Sequence, residues 1–505
     1  MMPNLIGKSG GAGRRLATRA SRTVVPMALL TGAMLTGACY NFNISDPNGP
    51  TLGGLTQNPT AAGVAAAAVG LFAAARADMV SFIWRTESMG RDAINLSDNN
   101  QPDYAEPFFG PLSSSGFGGS VWGTEYSAIR DADILIDGAP KAHDLPAGQQ
   151  ALAVGYAQTE KALMLMFVVE THGYLGAPVD VDRPPDAPPA PFVTEDSVYA
   201  TILHTLDSAR TNLAAGAGAD FPFTFPPGYA NFNTPATFRQ FTWALTAKAL
   251  CMRATAQSET ANPQPAASFY AQALHPALDS AFLSTNSADF SNGVSFDYST
   301  GPGDVKNTLS DPLSSKTFFA LPFVVSDAQT QTGGALDQRV LDKVVASADT
   351  QVIGGIPLTG TLKFTVYLQG TSVNLNAPIP VLRDEELVLL KAEAEIGTGD
   401  LASAVGDLNA VRVGSGHLPA YSGAMTVPAL TVELLYNRRY SLLWEQGARW
   451  IDARRFNRFD LIEPGWNGVT GFNNPQIPHV MPIPSSECQA RELGSFCNPL
   501  NTHGP

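Results

Sequence analysis

Apolar residues recur at helical spacing through most of the first half of the chain. In residues 60–83, alanines and larger apolar side chains fall three and four positions apart, and Asn58-Pro59-Thr60 supplies a start signal. The same spacing predicts further helices over residues 121–138, 148–176, 195–215, 234–258 and 266–283. Helices are therefore expected to dominate this half.

Long stretches rich in Gly, Pro, Ser, Asn and aromatic residues interrupt these helices. They cover residues 95–120, 177–194, 217–233 and 284–380. Loops of this length inside a compact domain are usually functional or mobile. Within the last stretch, alternation over residues 360–369 predicts a strand, and so a minor sheet or hairpin.

The last third returns to helical spacing, over residues 383–396, 401–411 and 427–446. Antiparallel helices joined by short turns fit tetratricopeptide-like packing, in which each pair buries its apolar face against a neighbour. No strict 34-residue consensus is present, so the repeats would be degenerate. We expect one mainly α domain over residues 60–505, with long irregular loops and a minor β element.

The first 38 residues have the layout of a secretory signal. They carry five basic residues and no acid, and they end in a 15-residue apolar stretch, 24–38. A bilayer-spanning helix needs about 20 residues, and no later window looks apolar enough to span. The segment ends Thr36-Gly37-Ala38-Cys39, which resembles a bacterial lipoprotein signal with Cys39 as the lipidated residue and 39–59 as a tether. The alternative is an ordinary signal peptide with an incidental cysteine.

The charge of the chain limits its partners. Acids outnumber bases 45 to 31, for a formal net charge of −14. Cleavage before Cys39 would remove five more bases and no acid. A nucleic-acid partner is not expected, because neutralising phosphates needs clustered Lys and Arg. Contact with a membrane would therefore depend on the lipid rather than on a basic surface.

Four cysteines in 505 residues exclude a disulfide-built scaffold. Cys488 and Cys497 lie nine positions apart in a loop-like tail and are a candidate disulfide, whereas Cys251 lies in a helical pattern typical of a buried thiol. No CxxC pair with a nearby His completes a tetrahedral set, so neither a metal nor another cofactor is expected.

Several runs of the chain together resemble a known family. They are residues 46–51, 389–394, 404–412, 438–440, 444–455 and 481–487. With the lipidation signal at Cys39, they resemble the SusD/RagB family of nutrient-binding outer-membrane lipoproteins. The resemblance implies a SusD-like fold without enzymatic activity, anchored by lipid to the outer membrane at the cell surface. It also implies binding of a nutrient, with an oligosaccharide as the first candidate, and delivery to a SusC-like TonB-dependent transporter.

The run 444–455 favours a structural role for its charged residues. Glu445, Arg449, Asp452 and Arg454 stand among apolar residues around a turn, where carboxylate–guanidinium pairs can satisfy buried helix ends. We interpret them as a structural ion-pair network, and the resemblance implies the same.

Aromatic side chains beside polar ones indicate a ligand region at residues 84–122. A sugar ring has apolar faces and polar rims, so its site needs flat aromatic platforms beside hydrogen-bonding groups. The candidates are Trp84, Arg85, Asp98, Asn99, Tyr104, Phe108 and Trp122, with Tyr298 in the second variable stretch, 284–380. The alternative is that these aromatics only anchor loops on the helices.

Two other functions remain open from the residues alone. One is a tetratricopeptide-like scaffold that assembles envelope proteins. The other is a surface glycosidase, although the sequence has neither a G-x-S-x-G nor an HExxH motif.

Overall fold

The computed structural model describes residues 57–97, 102–109, 111–184, 186–256, 266–353, 356–462 and 477–492. Every described residue belongs to one compact unit, Pro50–Pro505. The predicted signal peptide, Cys39 and most of the tether lie outside the described residues. Their assignment stays a prediction.

Helices make up most of the described chain. They are α1 Ala61–Ala75, α2 Met79–Met89, α3 Pro102–Phe109, α4 Gly123–Gly138, α5 Ala147–His172, α6 Glu195–Ala215, α7 Pro235–Ala254, α8 Ala266–Gln272, α9 Phe323–Ser326, α10 Gln338–Lys343, α11 Asp384–Thr398, α12 Leu401–Gly414, α13 Val427–Ser441, α14 Ala448–Arg455 and α15 Ser485–Arg491. A π-helical turn, Ala273–Leu278, follows α8.

Short strands form the minor β element. They are β1 Ala93–Asn95, β2 Ala177–Pro178, β3 Phe192–Val193, β4 Gly293–Phe296, β5 Phe318–Ala320, β6 Val344–Ile353, β7 Ile356–Phe364, β8 Leu368–Gln369, β9 Ser372–Val373 and β10 Ile379–Arg383. One sheet has the order β1-β5-β7-β6, and the others are two-stranded ribbons, β10-β4, β2-β3 and β8-β9. In the register of the β4–β10 ribbon, Phe296 lies opposite Ile379.

The helices pack mainly against their neighbours in sequence, as degenerate helix pairs require. Helix α4 packs on α1 and α5, α5 on α6, and α6 on α7. From Leu152 onward nearly every residue of α5 is buried, so this helix forms the centre of the main core. Helices α11, α12 and α13 enclose a smaller second core. Helix α14 packs back on α2, which joins the two ends of the described domain.

Most predicted helices are present, and the differences have local causes. Residues 60–83 hold parts of two helices, because the chain leaves α1 at Arg76 and re-enters a helix at Met79. The helix predicted over 266–283 is kinked at His275, whose φ/ψ are not helical, because the following Pro276 cannot donate a backbone hydrogen bond and disfavours a helical residue before it. Stretch 95–120 contains α3, and the predicted strand 360–369 is instead Ile356–Phe364.

Two described helical segments, Ala61–Met89 and Ala147–Leu175, are long and apolar enough to cross a membrane by length and composition. The expectation that no later window would be apolar enough is therefore wrong. The apolar window of the second segment is 89% buried within the domain. That burial is typical of the core helix of a folded domain.

A buried carboxylate links the first and last parts of the domain. Asp92, next to β1, is 1% exposed, and its Oδ1 accepts N–H groups from Arg439 Nη2 at 2.7 Å and Arg449 Nη1 at 2.9 Å. Arg439 also pairs with Asp327 at 2.8 Å. These contacts tie the β1 end of the chain to α13 and α14.

We expect Asp92→Asn to destabilise the domain by about 3–5 kcal/mol, because two buried guanidinium groups lose their shared negative charge. Urea unfolding followed by circular dichroism measures the change. The control is Asp182→Asn, which removes an exposed ion pair with Arg130 and should cost under about 1 kcal/mol. Equal effects of the two substitutions would contradict the structural role of Asp92.

Candidate functional site

Trp84 is a core residue rather than an open ligand platform. Its side chain is 7% exposed, and its ring centre lies 5.5 Å from that of Phe117 and 6.0 Å from that of Phe318. Its place in α2 points it into the main core, so a sugar cannot stack on it in this structure. The prediction of a ligand-binding Trp84 is corrected accordingly.

Phe108 and Trp122 are corrected for the same reason. Phe108 is 1% exposed, and the Arg91 guanidinium lies 4.3 Å from its ring centre. Trp122, immediately before α4, is 3% exposed and packs on Tyr126 and His172. Both aromatics anchor irregular chain on the helices, which is the alternative that the sequence left open.

The polar candidates of region 84–122 do not gather into one described site. Arg85 donates from Nη1 to the Phe117 carbonyl at 3.0 Å, and its guanidinium lies 4.4 Å from the Trp84 ring centre. Burial lowers the pKa of Arg85. Tyr104 belongs to α3, and Asp98 and Asn99 lie outside the described residues.

An aromatic cavity of about 490 Å³ lies elsewhere, between α1, the loop before α7 and the end of β4. It is lined by Val69, Phe72, Ala73, Arg76, Thr224, Phe225, Pro226, Pro227, Tyr229, Phe296, Asp297, Tyr298, Ser299 and Asp304. We call it the aromatic cavity. Thr224 and Pro227 are exposed, so it opens to the surface.

The wall of the aromatic cavity comes from an unusual run, Phe221-Pro-Phe-Thr-Phe-Pro-Pro-Gly-Tyr229. Phe225 is half-buried, and its ring centre lies 5.4 Å from that of Phe72 in α1 and 5.6 Å from that of Tyr229. Gly228 allows the close approach, because a Cβ there would lie 2.1 Å from the Ser295 carbonyl oxygen. The loop is therefore pressed against β4 by a position that only glycine fits.

Polar groups of the rim lie beside these rings. Arg76 follows α1 and donates to the Asp297 carbonyl and to the Asp304 carboxylate. Asp297 Oδ2 accepts the Gly228 N–H at 2.6 Å, which holds the loop to the end of β4. A hydrogen-bonding rim thus surrounds an apolar floor.

Tyr298 is the predicted ligand residue that the structure places at the aromatic cavity. Its side chain is 5% exposed, and its hydroxyl donates to the Arg76 carbonyl at 3.1 Å. Burial raises its pKa well above the usual value. It borders the cavity as a fixed wall residue more than as a free platform.

A buried acid on the core side of the cavity holds one of its lining residues, Tyr229, in place. Glu160 in α5 is fully buried, and its Oε1 accepts the Tyr229 hydroxyl at 3.1 Å. Desolvation raises the pKa of Glu160 to about 8, while the hydrogen bond from Tyr229 lowers it. Burial therefore favours the protonated form of Glu160 near neutral pH.

Loop 217–233 is one of the long irregular stretches of the sequence, but none of its residues was predicted to bind a ligand. The available signal was the alternation of Phe221, Phe223 and Phe225 with Pro and Thr, which places aromatic rings on one side of an extended chain. Arg76, Asp297 and Asp304 carried no such signal, because tertiary structure alone brings them together.

The four predicted network residues lie in buried ion pairs or hydrogen bonds, each with partners from other parts of the chain. Arg449 bonds Asp92, and Arg454 donates to the Glu170 carbonyl at 2.6 Å. Glu445 pairs with Lys343 at 2.6 Å and with Arg383 at 2.8 Å, and Asp452 pairs with Arg438 at 2.6 Å and with Arg455 at 2.8 Å. This geometry fits a structural role.

The cysteines of the tail are partly described. Cys488 in α15 is disulfide-bonded, and Cys497 lies outside the described residues. Their pairing stays a prediction. Cys251 is a free, buried thiol in α7, as its helical pattern indicated.

Comparison with known proteins identifies the fold. No family model matches this sequence, and no curated protein matches it. A solved SusD superfamily protein from Bacteroides vulgatus is 14% identical and covers 86% of this chain and 98% of its own, with a TM-score of 0.64. A SusD-like carbohydrate binding protein from Bacteroides fragilis is 14% identical and covers 85% of this chain and 98% of its own, with a TM-score of 0.64.

A SusD/RagB family protein from Bacteroides thetaiotaomicron is 18% identical, with a TM-score of 0.58, and covers 88% of this chain and 98% of its own. The chain therefore has the SusD-like fold. The expected mainly α architecture with a minor β element is confirmed, and the sequence resemblance is confirmed at the level of the fold.

We expect Glu160→Gln to raise the free energy of unfolding at pH 8 and to change it less at pH 5. The glutamine oxygen still accepts the Tyr229 hydroxyl, but the side chain cannot ionise. The raised pKa of Glu160 means that its contribution is fully present below about pH 4.5 and is lost as the pH rises through about 8, by at most about 1.4 kcal/mol per pH unit.

Urea unfolding at several pH values measures this difference, with the exposed Asp207→Asn as control. Glu87 and Glu125, whose pKa values burial also raises to about 8, should leave part of the pH dependence in the variant. A constant difference between variant and parent across this range would contradict the prediction.

Proposed function

We propose that this chain is a non-enzymatic protein that binds a nutrient in the aromatic cavity, with an oligosaccharide as the first candidate ligand. The observation that carries the proposal is the cavity itself, in which Phe72, Phe225 and Tyr229 adjoin a rim of polar groups. The fold adds support, because solved proteins that share it are described as carbohydrate binding.

The chemistry of the aromatic cavity suits a sugar. The apolar face of a sugar ring can pack on an aromatic side chain, while its hydroxyls need donors and acceptors at the edge. Phe225 supplies the half-buried ring, and Ser299 and Asp297 supply polar groups at the rim. Stacking with a few hydrogen bonds should give dissociation constants on the order of mM to μM.

A second function, a scaffold for protein assembly, has one observation in its favour. Large apolar side chains are exposed along α12 and α13 and the connection between them: Val413, Met425, Val427 and Val432 are 40–54% exposed. Such residues are often found where another protein docks. The same exposed residues would also be expected in a nutrient-binding protein that docks on a transporter.

We expect Phe225→Ala to weaken oligosaccharide binding roughly tenfold, because a stacking surface worth about 1–1.5 kcal/mol is lost. Affinity electrophoresis in polysaccharide gels, followed by calorimetry, measures this. Phe459→Ala is the matched control, because Phe459 is also half-buried and packs on another ring, that of His479, but does not line the cavity.

If both variants lose the same amount of oligosaccharide affinity, the ligand does not bind in the aromatic cavity. The absence of binding to any glycan, together with co-purification of an envelope protein, would favour the scaffold. Release of products from the same oligosaccharides would contradict the non-enzymatic assignment and revive the glycosidase.

We further propose that lipid on Cys39 anchors the protein to the outer membrane at the cell surface, where it passes its ligand to a SusC-like TonB-dependent transporter. The lipoprotein-like signal and the SusD-like fold support this proposal. The acidic chain offers no excess of basic residues for an electrostatic membrane contact.

Labelled palmitate should enter the full-length protein in cells, and Cys39→Ser should abolish the incorporation and release the protein from membranes. Protease treatment of intact cells tests exposure at the surface, and purification in mild detergent tests association with a barrel protein. If the protein incorporates no palmitate and is not found in membranes, residues 1–38 are an ordinary secretory signal peptide and Cys39 is not lipidated.

A further inference from the structure

The rim of the aromatic cavity carries more negative than positive charge. Among the described residues, its charged lining consists of Asp297, Asp304 and Arg76. The exposed Lys306 lies two positions beyond Asp304 but does not line the cavity. With both acids ionised, the lining has a formal charge of −1.

The one cation of the lining is engaged by the protein. Arg76 uses Nη1 on the Asp297 carbonyl and Nη2 on the Asp304 carboxylate, and its side chain is only 15% exposed. Its Nε is buried. Recognition of an anion by arginine usually takes two parallel N–H groups from one guanidinium. Two of the five N–H groups of Arg76 are already used on Asp297 and Asp304, and the ion pair with Asp304 offsets its positive charge.

The two carboxylates keep capacity to accept further hydrogen bonds. Asp297 accepts the Gly228 N–H through Oδ2, and Asp304 accepts Arg76 and the Val305 N–H through Oδ1. An ionised carboxylate has about four lone-pair positions. The aromatic faces beside them also attract cations.

We propose that the aromatic cavity selects amino sugars that carry a protonated amine, over neutral sugars, and rejects sugar acids. The inference rests on the proposed function, namely that this cavity binds carbohydrate. The carboxylates of Asp297 and Asp304 and the ring of Phe225 would attract the ammonium group. The same carboxylates, in a chain with 45 acids and 31 bases, would repel a uronate or sulfate.

The test uses sugars of the same linkage and ring configuration that carry different charges, with the full-length protein in detergent. One set is the β-1,4-linked glucose tetramer, the corresponding glucosamine tetramer and the corresponding glucuronate tetramer. A second set has the galactose configuration. Dissociation constants are measured by calorimetry at pH 6 and low salt. In at least one set, the amino form should bind about tenfold more tightly than the neutral sugar, and the acid form about tenfold more weakly than the neutral sugar.

Salt should reduce both differences, because the charges lie at a solvent-accessible rim. Neutral and amino forms that bind equally, or an acid form that binds best, would overturn the charge selection and leave the proposed function standing. Failure of every member of both sets to bind, or binding unaffected by Phe225→Ala, would overturn the inference together with the proposed site.

Two charge substitutions locate the effect. Asp297→Asn keeps an oxygen for the Gly228 N–H but removes the charge, so the ratio of amino-form to neutral-form affinity should fall to a few-fold, whatever the change in neutral binding itself. Asp304→Asn releases Arg76 from its ion pair and should improve binding of the acid form. Asp207→Asn, at an exposed site outside the cavity, should change neither the preference for the amino form nor the affinity for the acid form. Unchanged selectivity in both cavity variants would overturn the proposal.

Discussion

Buried pairing between arginines and carboxylates is the constraint on which the rest of this structure depends. Asp92 near the start of the domain holds Arg439 and Arg449 near its end, and Glu445 joins Lys343 to Arg383. Unpaired charges in such positions would cost several kcal/mol each, so the packing of these helices requires all partners at once. The apolar cores then fill the space that the charge pairs define.

The aromatic cavity lies apart from this network of charges. Its wall is loop 221–229 and its rim is the segment after β4, and the two are joined by the Asp297–Gly228 hydrogen bond. Behind them, Glu160 and Tyr229 connect the cavity to the central helix α5. A rigid helical frame thus supports an irregular surface whose side chains need not stabilise the frame.

The sequence predicts the frame better than the site. Helix α6 has the predicted limits, because Thr194 caps its first turn and Gly216 follows its last residue. The break after α1 was not predicted, because Arg76-Ala77-Asp78 contains neither Gly nor Pro. For the site, composition alone cannot separate a buried ring such as Trp84 from a half-buried one such as Phe225. That distinction depends on tertiary packing: Trp84 lies on the buried side of α2, whereas Phe225 lies in loop 217–233 at the mouth of the cavity.

The packing of α14 on α2 has a consequence for how the domain forms. Contacts between residues more than 350 positions apart, such as Arg449 with Asp92, cannot exist until almost the whole chain is available. Forming a contact of this kind is slow, since the entropy of a long loop is lost before the contact stabilises it. An incomplete chain therefore leaves its first helices without their final partner, and the domain is completed only after its last helices arrive.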